Sequence, residues 1–163
     1  TEEYRKEAGN MIQTMLKMHP NGLFILWTKT SLLRSQRKHE EAIKVARIAD
    51  KVCKDAPALA MMSEWQSGWC NMLLLRWHEC KLCFLTILKS EHKATEDGVP
   101  GFYCYVAGLS AINSGEYDEG YELLVRVKKE AKNHDIPHEQ YAVRKADKIL
   151  KILDREKKKT DDK

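Results

Sequence analysis

The sequence predicts an all-α fold, because its apolar residues recur at spacings of three and four along most of the chain. Only four prolines occur, at positions 20, 57, 100 and 137, and each separates two such stretches. Alternating apolar and polar runs joined by two-residue turns, which are typical of β-hairpins, are absent from the sequence. The prolines therefore indicate pairs of helices rather than strands.

Three helical hairpins and one further helix account for most of the chain. The pairs are expected within residues 20–55, 57–90 and 98–134, and a capping helix is expected over residues 137–155. The apolar residues that define them are Leu23, Leu26, Leu33, Ala42, Ala46 and Ala49 in the first pair, Met61, Met62, Trp65, Trp69, Leu82, Phe84 and Leu88 in the second, Tyr105, Val106, Leu109, Ile112, Leu123, Leu124 and Val127 in the third, and Tyr141, Ala146, Ile149 and Leu153 in the last helix.

The size and charge of the chain fit one globular domain. It has 163 residues, of which 43% are hydrophobic and 32% are charged, and its formal net charge is +4. We predict a single helical-repeat domain over residues 1–155. Residues 156–163 have no apolar side chain and are expected to form a charged, disordered tail.

Similarity between the pairs indicates a repeat. Residues 115–120, Gly-Glu-Tyr-Asp-Glu-Gly, resemble the turn of a tetratricopeptide repeat, in which Gly ends the first helix and an aromatic residue begins the second. The small residues expected at the two close-packing positions are Thr30, Gly68 and Gly108 in the first helices and Ala42, Cys80 and Gly120 in the second helices. The sequence therefore predicts a tetratricopeptide-type α-solenoid of about three hairpins plus a C-terminal capping helix.

A longer resemblance covers residues 18–150. Trp-Gln-Ser-Gly-Trp-Cys at residues 65–70 resembles the Trp-Glu-Leu-x-Trp-Cys segment of the tetratricopeptide-repeat protein 39 family, which includes the inclusion body clearance proteins of fungi. Residues 19–24 resemble its Tyr-Pro-Asn segment, and residues 136–146 resemble its Pro-x-Glu signature, which ends in Arg-Lys-Ala. Gln66 departs from the family's Glu, and residues 92–95 depart from its Trp-Ser-Lys-Ala. The resemblance implies a link to inclusion clearance and lipid homeostasis.

In repeats of this type the first helices of successive units line an inner groove, where an extended peptide or a partner helix binds. The residues predicted to bind a partner there are Phe24, Trp27, Met62, Trp65, Trp69, Met72, Phe102, Tyr105 and Leu109. Buried Trp and Tyr side chains concentrate binding energy, and Met side chains adapt their shape to a partner. We therefore predict a non-catalytic protein-interaction scaffold, with Trp65 and Trp69 as its principal contacts.

Two other occupants of the groove fit the same residues. The protein's own chain, including a region N-terminal to these residues, could fill the groove, which would make the segment a passive C-terminal half of a longer solenoid. A lipid or another small apolar ligand could also bind there. A clamp for a C-terminal carboxylate is disfavoured, because Trp27, Trp65 and Tyr105 occupy the positions where Lys, Arg or Asn would be needed.

Metal binding and catalysis are not predicted. His78, Cys80 and Cys83 lie close together in the sequence, but a zinc site generally needs four ligands and no second Cys-x-x-Cys pair occurs. Glycine-rich phosphate loops, Gly-x-Ser-x-Gly and His-Glu-x-x-His are also absent from the sequence. We expect buried thiols, no cofactor and no enzymatic activity.

The C-terminal helix has the strongest local positive charge. Its basic residues are Arg144, Lys145, Lys148, Lys151, Arg155 and Lys157 to Lys159. Acidic residues are interspersed with them and no aromatic stacking platform accompanies them, which favours a solvated capping helix over binding of a nucleic acid or of an acidic membrane.

The cellular setting is predicted from cysteine usage and from hydropathy. Five cysteines are an odd number in helical patterns, which favours reduced thiols in the cytoplasm, with the nucleus as an alternative. The family resemblance additionally implies a peripheral location at organelle surfaces. The longest apolar run, residues 82–88, is far shorter than the roughly 20 residues that span a bilayer. From the charged start after Thr1 we expect no secretory leader, and we expect the chain to be part of a longer protein.

Overall fold

The computed structural model describes residues 2–53, 56–90, 99–131 and 136–161, and within them every regular element is a helix. The helices are α1 (Glu2–Met18), α2 (Leu23–Ser35), α3 (His39–Val52), α4 (Pro57–Leu73), α5 (Trp77–Lys89), α6 (Pro100–Asn113), α7 (Tyr117–Glu130) and α8 (Pro137–Asp161). The all-α prediction is confirmed, and the helices agree with the predicted hairpins of a tetratricopeptide-type α-solenoid. Much of the predicted loop around residues 91–98, and the end of the third predicted pair, lie outside the described residues.

Three of the four prolines begin helices. Pro57, Pro100 and Pro137 are the first residues of α4, α6 and α8. Proline is favoured there because it lacks the N–H group that has no intrahelical acceptor in the first turn, and because its ring fixes a helical φ angle. Pro20 lies in the turn between α1 and α2. The helix starts that the prolines predict at positions 57, 100 and 137 therefore agree with the structure.

The three hairpin turns share one backbone geometry. Their central residues, Arg37, Leu75 and Gly115, have positive φ angles of 60°, 57° and 87°. In each turn the next amide donates a hydrogen bond of 2.9 Å to the carbonyl five residues earlier, from Lys38 to Leu33, from Arg76 to Asn71 and from Glu116 to Ala111. This is the Schellman arrangement that satisfies carbonyl groups at the end of a helix. The turns therefore repeat in structure although their sequences differ.

The chain divides into two compact units, residues 1–86 and 87–163, where the sequence predicts one domain over residues 1–155. The first unit has a core between α2, α3 and α4. Its buried residues are Leu26, Leu33, Ala42, Val45, Ala49 and Cys70. Helix α1, which precedes the first predicted hairpin, packs on α2 through buried Ile12 and partly buried Leu16.

Close contacts and ion pairs hold the hairpins of the first unit together. A Cβ atom added to Gly68 would lie 2.7 Å from Cε2 of Phe84, so α4 and α5 approach closely at this glycine. Arg47 on α3 forms a 2.5 Å ion pair with Glu64 on α4. Arg76, which precedes α5, pairs with Glu40 on α3. The small residue at position 68 therefore permits the helix approach that the repeat register predicts.

In the second unit α6 and α7 cross with their backbones in contact. A Cβ atom at Gly108 would lie 3.1 Å from the carbonyl oxygen of Gly120, and one at Gly120 would lie 3.0 Å from the carbonyl oxygen of Gly108. Because the obstacle is backbone, a side-chain rotation could not make room for a larger residue. These two glycines therefore fix the closest approach of the hairpin.

Helix α8 packs on α6 and α7 through a small-residue face and one buried acid. Ala142 and Ala146 are buried, and Glu139 is fully buried. The Oε1 atom of Glu139 accepts a 3.2 Å hydrogen bond from the backbone N–H of Gly101, in the first turn of α6. A carboxylate is stabilised at this position because the N-terminus of a helix carries partial positive charge. Glu139 therefore ties α8 to the start of α6.

Helix α8 is longer than the capping helix predicted to end at residue 155. It continues to Asp161, through residues that the sequence assigns to a disordered tail. Lys159 and Glu156 form a 2.7 Å ion pair one turn apart in this extension. Opposite charges at this spacing give a modest stabilisation to an exposed helix.

The hairpin turns provide a test of backbone strain. Gly115→Ala should lower the free energy of unfolding by about 1–2 kcal/mol, because an L side chain is strained at positive φ. Leu75→Gly should act in the opposite direction, since Leu75 is exposed and has the same backbone geometry. Urea unfolding followed by circular dichroism measures both changes, and two changes of the same sign would contradict the shared geometry.

The buried carboxylate provides a second test. Glu139→Ala should lower the free energy of unfolding by about 1.5–3 kcal/mol, the range for hydrogen bonds to charged groups. The matched control is Glu122→Ala on α7, where the side chain is exposed and the change should stay within about 0.5 kcal/mol. Equal effects of the two variants in chemical denaturation would show that Glu139 does not anchor α8.

Candidate functional site

Two partly buried hydrogen bonds link α2 to α4 in the first unit. The indole Nε1 of Trp27 donates to Oγ of Ser63 at 3.1 Å. The Nε2 atom of Gln66 donates to Oγ of Ser31 at 3.2 Å. Ser63 and Gln66 are buried, so these bonds lie beneath the surface that the two helices share. The polar pairs favour one register because an unpaired polar group would be costly there.

The same two helices carry four aromatic rings that meet in pairs. Phe24 and Trp27 meet edge to face with ring centroids 5.4 Å apart, and Trp65 and Trp69 meet in the same way at 6.0 Å. The guanidinium of Arg34 lies 5.3 Å from the centre of the Trp65 ring, within the range of a cation–π contact. We call Phe24, Trp27, Met62, Trp65 and Trp69 the aromatic face.

The members of the aromatic face differ in how much of each side chain reaches solvent. Phe24 is 75% exposed and Met62 is 43% exposed, whereas the three tryptophans are half-buried. Trp69 also packs edge to face on Phe84 of α5, with centroids 6.1 Å apart. Trp69 therefore supports its own hairpin as well as the surface. Phe24 and Met62 are the side chains most available to a partner.

Helix α8 covers most of the predicted groove residues of the second unit. Phe102 and Tyr105 on α6 are only 8% and 7% exposed. The Phe102 ring meets His138 at 5.4 Å, and the Tyr105 ring meets Tyr141 at 5.9 Å. Burial, together with Tyr141, raises the pKa of Tyr105 to about 12. The predicted contacts at 102 and 105 are therefore internal contacts of the second unit.

The two outer predicted groove residues are half-buried. Met72 lies near the end of α4, and Leu109 lies one turn beyond Tyr105 on α6. Neither reaches solvent as fully as Phe24 or Met62. The accessible part of the predicted groove is therefore concentrated on the first unit.

Equivalent aromatic residues in the two units have equivalent packing. Trp27 and Tyr105 each lie three residues before a close-packing position, at Thr30 and Gly108. Trp27 contacts α4, and Tyr105 contacts α8. In each case the contacted helix is the one that follows the hairpin. An aromatic residue at this position therefore joins one hairpin to the next helix. The sequence pattern shows the aromatic residue but not which of its faces a neighbouring helix covers.

A cavity of about 510 Å³ opens at the turn between α1 and α2. It is lined by residues 18–25, which include the His-Pro-Asn-Gly segment and Phe24. Phe24 thus belongs both to this cavity and to the aromatic face. Sequence reasoning named Phe24 but did not predict the cavity, because α1 was not among the predicted hairpins.

The cysteine cluster on α5 is buried. Cys80 and Cys83 are buried, whereas His78 is exposed. The Sγ atom of Cys83 accepts contacts from Nη2 of Arg47 at 3.7 Å and from Nδ2 of Asn71 at 3.9 Å. Burial and then the Glu64 carboxylate raise the pKa of Cys83 to about 12. Among the described residues no group of three or more His, Cys, Asp or Glu is placed to hold a metal ion.

Comparison with known proteins identifies the family. A family model described as Iml2/Tetratricopeptide repeat protein 39 matches residues 1–159. The chain belongs to this family. The match confirms the resemblance drawn from residues 18–150 and extends it over α1, so the Iml2/Tetratricopeptide repeat protein 39 assignment covers both compact units. No solved structure matches the chain.

As a member of this family the chain is a helical-repeat protein of the tetratricopeptide type. In the parts of the chain that the structure describes, none of the helices is both long and apolar enough to cross a bilayer. The family assignment and the helical hairpins agree with a protein-binding role, and neither identifies a partner.

The Cys83 thiol predicts alkaline destabilisation. Its pKa in the folded protein is about 12, above the ordinary value of 9.0, so the unfolded chain releases this proton at lower pH than the folded protein does. The stability that depends on the neutral thiol is fully present below pH 9 and is lost as the pH rises toward 12. Urea unfolding at several pH values in this window should show a steeper loss for the parent protein than for Cys83→Ala. Equal slopes would contradict the assignment.

Proposed function

We propose that the chain is a non-catalytic protein-interaction scaffold whose partner segment binds the aromatic face of the first unit. The observation that carries this proposal is the exposure of Phe24 and Met62 beside three half-buried tryptophans. A surface of this kind combines rigid aromatic anchors with an adaptable Met side chain, as protein-binding surfaces do. Membership of a helical-repeat family supports the scaffold role.

The partner chemistry follows from the side chains around the face. Phe24 and Met62 offer apolar contacts, and Arg34 brings a positive charge to the edge of the Trp65 ring. A partner segment with apolar side chains one or two turns apart, followed by an acidic residue, would complement this arrangement. The resemblance to the family links such a scaffold to inclusion clearance and lipid homeostasis in the cytoplasm and at organelle surfaces.

A groove filled by the protein's own chain is the second candidate, and one observation favours it in the second unit. There α8 lies on α6, so that His138 and Tyr141 contact Phe102 and Tyr105. The part of the predicted groove on α6 therefore serves internal packing. The proposal for an external partner rests on the first unit alone.

Phe24→Ala combined with Met62→Ala should weaken partner binding by at least about tenfold, because aromatic and Met anchors carry a large share of binding energy. These two residues are better probes than Trp65 and Trp69, since the Trp69 ring also packs on Phe84. A photo-crosslinking amino acid at position 24 identifies the partner in cells. The dissociation constant of that partner is then measured for the parent and the variant.

The matched control replaces Ile48 and Leu82 with Ala. These side chains are exposed to a similar degree on α3 and α5, which are the second helices of their hairpins. The control should bind like the parent protein, and circular dichroism should show all three proteins folded. If a photo-crosslinking amino acid at position 82 captured the partner as efficiently as one at position 24, the proposal would be refuted. It would also be refuted if the protein with the Phe24 and Met62 replacements bound the partner as tightly as the parent.

A further inference from the structure

Helix α8 carries four basic residues on one narrow face. Arg144, Lys148, Lys151 and Arg155 follow one another at spacings of four, three and four, and all four are exposed. With about 100° between successive residues of an α-helix, they fall within an arc of about 60° and extend over about 16 Å. We call these four residues the basic ribbon. Their spacing makes the ribbon straight rather than spread around the helix.

The basic ribbon points away from the body of the second unit. The buried residues Ala142 and Ala146 lie on the opposite side of α8, where the helix packs on α6 and α7. Helical geometry separates the centre of the ribbon from these alanines by about 150–170°. The packing that orients α8 therefore also presents the ribbon to solvent.

The acidic residues interspersed in the sequence of α8 lie outside the 60° arc of the ribbon and bond to other groups. Glu139 bonds to Gly101, Asp147 pairs with Lys128 at 2.9 Å, Asp154 accepts a 3.0 Å hydrogen bond from Tyr121, and Glu156 pairs with Lys159 at 2.7 Å. None of these four acids pairs with a residue of the ribbon in the described contacts. Between residues 144 and 155 the arc of the ribbon therefore contains only basic residues, whereas Asp147 and Asp154 border it on the side opposite Ile152.

Two exposed apolar side chains lie along one side of the ribbon. Ile152 is 58% exposed and Tyr141 is 42% exposed. Helical geometry puts both within about 70° of the centre of the ribbon, on one side of it. The Nζ atom of Lys145 lies 5.5 Å from the centre of the Tyr141 ring, which adds a further cation at this edge. Cations, one aromatic ring and one aliphatic side chain thus share one surface.

We propose that this face of α8 binds an anionic membrane surface. Clusters of basic residues on a helix are attracted to anionic lipid headgroups, and exposed Tyr and Ile side chains gain by entering the boundary between headgroups and acyl chains. A nucleic-acid backbone would attract the same cations but would offer Ile152 no apolar environment. The side chains beside the ribbon therefore favour a lipid surface. This proposal does not depend on the aromatic face of the first unit.

Vesicle sedimentation with the whole 163-residue chain tests the proposal. The chain should bind vesicles of phosphatidylcholine containing about 30% phosphatidylserine and should not bind phosphatidylcholine alone, because the attraction is to anionic lipid. Replacing Lys148 and Lys151 with Gln should weaken binding about 25-fold, at about fivefold for each cation near the surface. The matched control replaces Lys44 and Lys51 on α3 with Gln, which removes the same charge from exposed positions elsewhere. It should lose less than about threefold, since these lysines are not part of the basic ribbon.

Ile152→Ser separates a membrane from other polyanions. It should reduce vesicle binding several-fold, with the four ribbon cations intact. In a parallel arm the same proteins are titrated against a fluorescent DNA duplex. Tighter binding to the duplex than to the vesicles, with no effect of Ile152→Ser, would overturn the proposal in favour of a nucleic acid. Equal losses from the α3 control and the ribbon variant would overturn it in favour of nonspecific charge attraction.

Discussion

The structure depends on how closely the two helices of a hairpin can approach each other. A three-residue turn with one left-handed residue brings the second helix directly back along the first, so the facing side chains must be small. In the second unit this limit is reached at Gly108 and Gly120, whose backbones are in contact. Gly68 has the same role beside Phe84 in the first unit. Helix packing, the cores and the exposed surfaces of each unit all follow from these approaches.

Once the hairpins are formed, aromatic residues join them to the next helix. Trp27 contacts Ser63, and Tyr105 contacts Tyr141, from equivalent positions of two repeats. Aromatic residues therefore pack inside one unit and lie at the surface of the other. Their exposure depends on whether a neighbouring helix covers them. Where α8 covers α6, the aromatic residues become core. On α2 the ring of Phe24 remains open to solvent.

Helix boundaries could be predicted from the sequence because they depend on local chemistry. Proline at the first helical turn and small residues at fixed spacing act within a few residues of themselves. The burial of Phe102 and Tyr105 could not be predicted in this way, because it depends on a helix that begins more than 30 residues later. The positions of Asp147 and Asp154 illustrate the same limit. In the sequence they interrupt the basic residues, and in the fold they bond to Lys128 and Tyr121 on α7.

The bond between Glu139 and Gly101 has a consequence for chains that end early. A product truncated before Pro137 would leave the first turn of α6 without its carboxylate acceptor and would uncover the rings of Phe102 and Tyr105 together. Exposed aromatic surface of this kind is what chaperones and degradation machinery recognise in incomplete proteins. The docking of α8 thus keeps aromatic side chains of α6 out of contact with the quality-control machinery of the cell.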